Sequence, residues 1–89
     1  MNFVTVNCNA KIGHNCIINN HSLIEHNASI GSNTHISTNA IINGNVNIGE
    51  NSFVGSSATI INNISIGKEV IIGSGTIIKK NYPKNSIIK

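Results

Sequence analysis

The apolar positions of this chain fall on a fixed step of six. From Val6 onward, Ile12, Ile18, Ile24, Ile30, Ile36, Ile42, Ile48, Val54, Ile60, Ile66, Ile72 and Ile78 are all Ile or Val, with no insertion. A second series follows four residues behind each and is mostly small: Ala10, Cys16, Ser22, Ala28, Thr34, Ala40 and onward through Ser52, Ala58 and Thr76. An amphipathic helix needs apolar residues three and four apart, which a step of six does not supply. β-Branched residues at an even step suit short strands with one buried face. The pattern predicts brief strands separated by turns, and no substantial helix.

A longer period lies over the shorter one. Ile-Gly recurs at Ile12-Gly13, Ile30-Gly31, Ile48-Gly49 and Ile66-Gly67, a step of eighteen. Three hexads then close one coil, and stacked coils bury one another's faces. Three flat faces joined by turns make a triangular prism, with Ile and Val inside and small residues in the cramped positions. The recurring glycine is expected where a turn needs unusual dihedrals. Asn15, Asn33 and Asn51 are expected to stack at one vertex in left-handed backbone. Residues 1–89 read as one all-β domain of about four coils, with residues 1–11 a partial leading coil. Residues 79–89 read as an irregular tail, because Pro83 removes a ladder donor and Lys84 stands where an aliphatic is due. That tail is placed to cover the last coil's open edge. The period does not give the hand of the coil; general crossover rules favour a right-handed one.

Composition adds limits. A chain of 89 residues is short for a self-sufficient core, which favours assembly. The net charge is +3, with no arginine and with lysines spread except near the end, which argues against nucleic acid as the main partner. Cys8 and Cys16 are too few for a disulfide framework and read as reduced thiols. No signal-peptide pattern opens the chain, and no apolar run reaches membrane-spanning length. A cytoplasmic protein without a membrane partner is expected.

The candidate chemistry lies in two histidines and a glycine. Histidine is the side chain suited to general-base work near neutral pH. Gly44 is eighteen residues after His26, so it lies one rung away, at about 4.8 Å. Having no side chain, it opens space and bares backbone beside the imidazole. His35 is half a coil from His26 and falls on a different face, so one chain cannot easily join the two. His21 and His26 have a spacing compatible with metal. Cys16 reads as core filler, His14 as a solvated turn residue, and Cys8 has no evident role. Lys79 and Lys80 suit either coenzyme phosphates or a solvated end.

Thirteen hexads of this form resemble the hexapeptide-repeat acyltransferases. The resemblance, and not the spacing, implies a left-handed parallel β-helix that works as a homotrimer. A narrower likeness lies in Ile24-Glu25-His26-Asn27, in His35-Ile36-Ser37 and in the stretch from Gly44 to Gly55. These resemble the sugar acetyltransferases of the sialic-acid and bacillosamine type. That likeness implies transfer of an acetyl group from acetyl-CoA to an amine or hydroxyl of a sugar-like acceptor, without a metal, at a site between subunits. It makes His26 the catalytic base, with Asn27 where the family usually has Asp or Glu to orient the ring. It puts His35 in the acetyl-CoA site, the Gly44 amide at the acetyl oxygen, Ser56 and Ser74 along the coenzyme, and Asn19 on the substrate side near the base. The family's usual N-terminal nucleotide-sugar-binding domain and Gly-x-Pro ending have no counterpart in this sequence. Since fold does not fix activity, the rival expectation is a non-catalytic trimeric scaffold or a shortened, impaired acetyltransferase. His26, His35 and Gly44 separate the two, since a pure scaffold has no reason to hold them.

Overall fold

A computed structural model describes residues 3–89, and in it each hexad is a two-residue strand followed by a tight turn. Successive side chains of a strand point to opposite sides. Hence neighbouring isoleucines part company: Ile17 is 52% exposed and Ile18 only 2%, while Ile71 is 47% exposed and Ile72 only 1%. The step of six therefore selects the inward residue of every strand.

The strands stack into three parallel sheets, the faces of a prism. The first face holds Thr5–Val6, Leu23–Ile24, Ile41–Ile42, Thr59–Ile60 and Ile77–Ile78. The second holds Lys11–Ile12, Ser29–Ile30, Asn47–Ile48 and Ser65–Ile66. The third holds Ile17–Ile18, His35–Ile36, Phe53–Val54, Ile71–Ile72 and Ile87–Ile88. Partners such as Ile24 and Ile42, or Ile30 and Ile48, are one coil of eighteen apart. Ile and Val columns fill the axis, and Ala28, Ala40 and Ala58 are fully buried at the vertices. Among the described residues no coil lies beneath the first, and the inward Val6 and Ile12 there are 46% and 36% exposed.

Three vertices join the faces. Vertex A, between the first and second faces, carries Cys8, His26, Gly44, Asn62 and Lys80. Vertex B, between the second and third, carries His14, Ser32, Glu50 and Lys68. Vertex C, between the third and first, carries Asn20, Thr38, Ser56 and Ser74. Except after Lys80, the residue that follows each of these turns the chain in left-handed backbone. Asn9, Asn15, His21, Asn27, Asn33, Asn39, Asn45, Asn51, Ser57, Asn63, Glu69 and Gly75 have φ between 57° and 71°. Asparagine tolerates that region better than other side chains, which accounts for its abundance.

The Ile-Gly glycines have a different task from the one their spacing suggested. None of Gly13, Gly31, Gly49 or Gly67 is in left-handed backbone; among the described glycines only Gly75 is. What they permit is close approach. A Cβ on Gly31 would lie 2.4 Å from the Glu50 amide nitrogen, and one on Gly49 would lie 2.5 Å from that of Lys68. The next coil crosses directly over vertex B at those points.

Vertex B is also stitched from inside. Cys16 Sγ donates to the Gly31 carbonyl at 3.2 Å, Thr34 Oγ1 to that of Gly49 at 3.2 Å and Ser52 Oγ to that of Gly67 at 3.4 Å. The Ser52 amide donates to Thr34 Oγ1 and the Val70 amide to Ser52 Oγ. Cys16 is thus a rung in a polar ladder rather than simple filler.

The C-terminal stretch is more regular than its sequence suggests. Tyr82 bridges Ile66, and Ile87–Ile88 pairs with Ile71–Ile72, each sixteen residues on. Vertex A is two residues shorter in this coil, so Tyr82 and Ile88 take the inward slots and Lys84 does not. Asn81 Oδ1 accepts from the Ser65 amide at 2.7 Å, standing in for backbone at the shortened vertex. Among the described residues no coil beyond Pro83 calls on it for an amide donor.

Candidate active site

His26 stands exposed at vertex A, one residue before the left-handed Asn27. Backbone bonds set its neighbours: the Asn45 amide donates to the His26 carbonyl at 3.1 Å, and the Asn27 amide to the Cys8 carbonyl at 3.2 Å. Gly44 therefore lies one rung above His26 and Cys8 one rung below. The imidazole leans over Gly44, whose missing Cβ would come within 3.1 Å of both Cε1 and Nε2. Gly44 is buried, and among the described residues its amide donates to no acceptor. The His26 ring has no hydrogen-bond partner there either. No hydrogen bond joins the Asn27 side chain to the ring. On the first-face side Glu25 accepts a 2.6 Å hydrogen bond from Asn7 Nδ2.

His35 lies elsewhere. It is the outward residue of its strand on the third face, half-buried, with its ring edge on Phe53 at a centroid distance of 5.1 Å. Asn19 Nδ2 is 3.1 Å from His35 Nε2. Donation from the amide makes Nε2 the acceptor and leaves the ring proton on Nδ1. Asn19, expected beside the base, is thus paired with the other histidine. Ser56 and Ser74 are exposed at vertex C, which adjoins the third face.

The predicted site residues therefore form two groups. His26, Asn27 and Gly44 are at vertex A. Asn19, His35, Ser56 and Ser74 are on the third face and vertex C, the side opposite vertex A. The molecule measures 28 × 23 × 22 Å, and within one chain the two groups lie on opposite sides of the prism. His21 is at vertex C, stacked on Phe3 at 5.6 Å, and so does not join His26 as a chelating pair. Among the described residues no three His, Cys, Asp or Glu side chains form a metal-holding group. Sequence reasoning missed Cys8, an exposed thiol one rung from His26. The eighteen-residue period marks it, since Cys8 and His26 are one coil apart, whereas no histidine is close to Cys8 in sequence.

The third face also carries a column on its outside that is apolar except at His35. Ile17, Phe53, Ile71 and Ile87 are 52%, 39%, 47% and 63% exposed. The second face, with Lys11, Ser29, Asn47 and Ser65 in the same outward positions, is polar.

Fold and vertex together define a hexapeptide-repeat β-helix with a histidine set over a side-chain-free glycine. The sequence pattern of the family described as bacterial transferase hexapeptide (six repeats) matches residues 9–44, 27–62 and 45–80. The chain belongs to that family and shares its left-handed parallel β-helix. Comparison with curated protein sequences finds no match. Solved structures share the fold. The acetyltransferase domain of PglB from Neisseria gonorrhoeae, in complex with acetyl coenzyme A, superposes with a TM-score of 0.73 at 20% identity, covering 97% of this chain and 51% of that one. Serine acetyltransferase isoform 3 from Entamoeba histolytica, in complex with cysteine, gives 0.83 at 24% identity, covering 91% of this chain and 32% of that one. A histidine-to-alanine mutant of GDP-perosamine N-acetyltransferase from Caulobacter crescentus, with CoA and GDP-perosamine, gives 0.68 at 18% identity, covering 97% and 50%. This chain thus spans about half or less of those proteins. Among its described residues no helix is long and apolar enough to cross a membrane.

Proposed function

We propose that the protein transfers an acetyl group from acetyl-CoA to an amine or hydroxyl of a sugar-like acceptor. The observation that carries this is the unspent Gly44 amide beneath the exposed His26 ring. A base and an N–H donor one rung apart are what acyl transfer from a thioester requires. His26 Nε2 takes the proton of the acceptor as its nitrogen or oxygen attacks the thioester carbonyl carbon. The Gly44 amide receives the oxyanion, a contact worth roughly 3–4 kcal/mol where such donors are aimed well. The tetrahedral species collapses, the carbon–sulfur bond breaks, and the proton on His26 passes to the leaving thiolate. Acetyl-CoA bound to the fold relatives supports the choice of donor, and GDP-perosamine supports an amino-sugar acceptor.

The site is completed by a second chain. Vertex A faces away from Asn19 and His35, so only a neighbour can set those residues opposite His26. The apolar column of the third face supplies the contact, and a closed ring of three chains repeats it without an open end. Asn27 keeps the turn but does not hold the ring, which leaves His26 less well aimed than a carboxylate would.

Thermal unfolding with and without acetyl-CoA tests the reading, because a ligand of the native state raises the melting temperature by mass action. Thiol release with a panel of amino sugars then tests turnover. A melting temperature unmoved at millimolar acetyl-CoA would leave the chain a scaffold.

A further inference from the structure

We infer that the acceptor enters from the second face, through a polar hollow beside His26, and that Lys11 there selects acceptors bearing a negative charge. This rests on the acetyl-transfer reading. The hollow has a volume of about 390 Å³ and is lined by Asn9, Lys11, Asn27, Ala28, Ser29 and Asn47. Asn27 follows His26 directly, and Asn9 is one rung beneath Asn27, so the hollow opens from vertex A. Its lining holds three amides, one hydroxyl and one ammonium, and no apolar side chain larger than alanine. Amides and hydroxyls both donate and accept, which matches the mixed hydroxyls of a sugar ring and not an acyl chain or an aromatic.

The order of residues along the axis separates donor from acceptor. Gly44 lies on the C-terminal side of His26, and the ring leans toward it. Ser56 and Ser74 lie further in the same direction. Asn9 and Lys11 lie on the N-terminal side. A donor running up the coils and an acceptor resting below then meet at the imidazole without competing for space, as an in-place attack requires.

Lys11 gives the hollow its charge preference. It is exposed, and among the described residues it has no ion pair. The acid nearest in sequence to the base, Glu25, is on the first-face side of vertex A and is held by Asn7. The outward residues above Lys11 on its own face, Ser29, Asn47 and Ser65, are neutral. An anionic substituent on the sugar, phosphate or carboxylate, has this ammonium to itself.

The test measures sugar binding without acetyl-CoA, by saturation-transfer NMR on the full chain. Glucose, glucose 6-phosphate and glucuronic acid are the probes, and wild type, Lys11→Gln and Asn47→Leu the proteins, with circular dichroism confirming the fold of each. Both charged sugars should bind wild type roughly fivefold more tightly than glucose, and Lys11→Gln should erase that difference. Asn47→Leu, which fills the hollow, should weaken all three. A preference for only one charged sugar identifies the anion as phosphate or carboxylate. Equal binding of charged and neutral sugars to wild type, or a preference that survives Lys11→Gln, overturns the inference. The acetyl-transfer reading fails separately, if acetyl-CoA neither binds nor releases thiol, because no coenzyme enters this measurement.

Discussion

Two glycines of like appearance in the sequence have unlike neighbours. At Gly49 an added Cβ would meet backbone, 2.5 Å from the Lys68 nitrogen. At Gly44 it would press only on the His26 ring, at 3.1 Å, with the His26 carbonyl at an ordinary 3.5 Å. Gly49→Ala should therefore cost about 1–3 kcal/mol of stability by overpacking, read as a lower urea midpoint. Gly44→Ala should leave the midpoint nearly unchanged and push the imidazole aside, so the turnover number falls while coenzyme binding persists. His26→Ala should lower turnover by roughly 10²–10⁴, the usual worth of a general base, again without loss of coenzyme affinity. Asparagine and aspartate both accept left-handed backbone, so Asn27→Asp should keep the turn; a rise in turnover is the expected outcome. Cys8 offers an independent probe. A bulky maleimide on this exposed thiol, one rung from His26, should block acetyl transfer in wild type and leave Cys8→Ala untouched.

At the scale of elements, two-residue strands are too short to hold themselves, and each rung depends on the ladders above and below. The interior ladder of vertex B is the clearest case. Thr34 Oγ1 donates to the Gly49 carbonyl and accepts from the Ser52 amide. Thr34→Val keeps the volume and strands both groups in the core, at a cost of about 1–3 kcal/mol, whereas Thr34→Ser should lose much less. Chemical denaturation of the two variants side by side measures the difference. The shortened last coil follows the same logic: Asn81 lends a side-chain oxygen where backbone is missing, so the final strand keeps its register.

For the whole molecule, the decisive feature is that the two groups of candidate residues, around His26 and around His35, are on opposite sides of one prism. His26→Ala and His35→Ala should each be impaired as assemblies. Unfolded together at equal ratio and refolded, about three-quarters of trimers are mixed, each with one intact site of three, so about a quarter of native activity should return. No recovery, with mixed trimers seen by native mass spectrometry, would reject the shared site. Ile71→Lys places a charge in the exposed apolar column of the third face and should yield monomers by sedimentation, with activity lost in step.

The coil is legible in the spacing of the residues alone. An inward Ile or Val at every sixth residue and Ile-Gly at every eighteenth leave few other ways to bury the apolar series. The same period put Gly44 over His26, because the prism translates sequence separation into stacking. What needed the tertiary structure was whatever depends on direction or on a break in the period. Turn dihedrals belonged to the asparagines, and the Ile-Gly glycines served close approach, a matter of what the next coil presses against. The tail was illegible because a two-residue deletion shifts every inward slot, turning Lys84 outward and Tyr82 in. Asn19 paired with His35 rather than His26, because sequence distance does not say which face a side chain crosses. Cys8 beside His26 and the hollow around Lys11 likewise come from stacking distant rungs, which places side by side residues that the chain itself keeps eighteen apart.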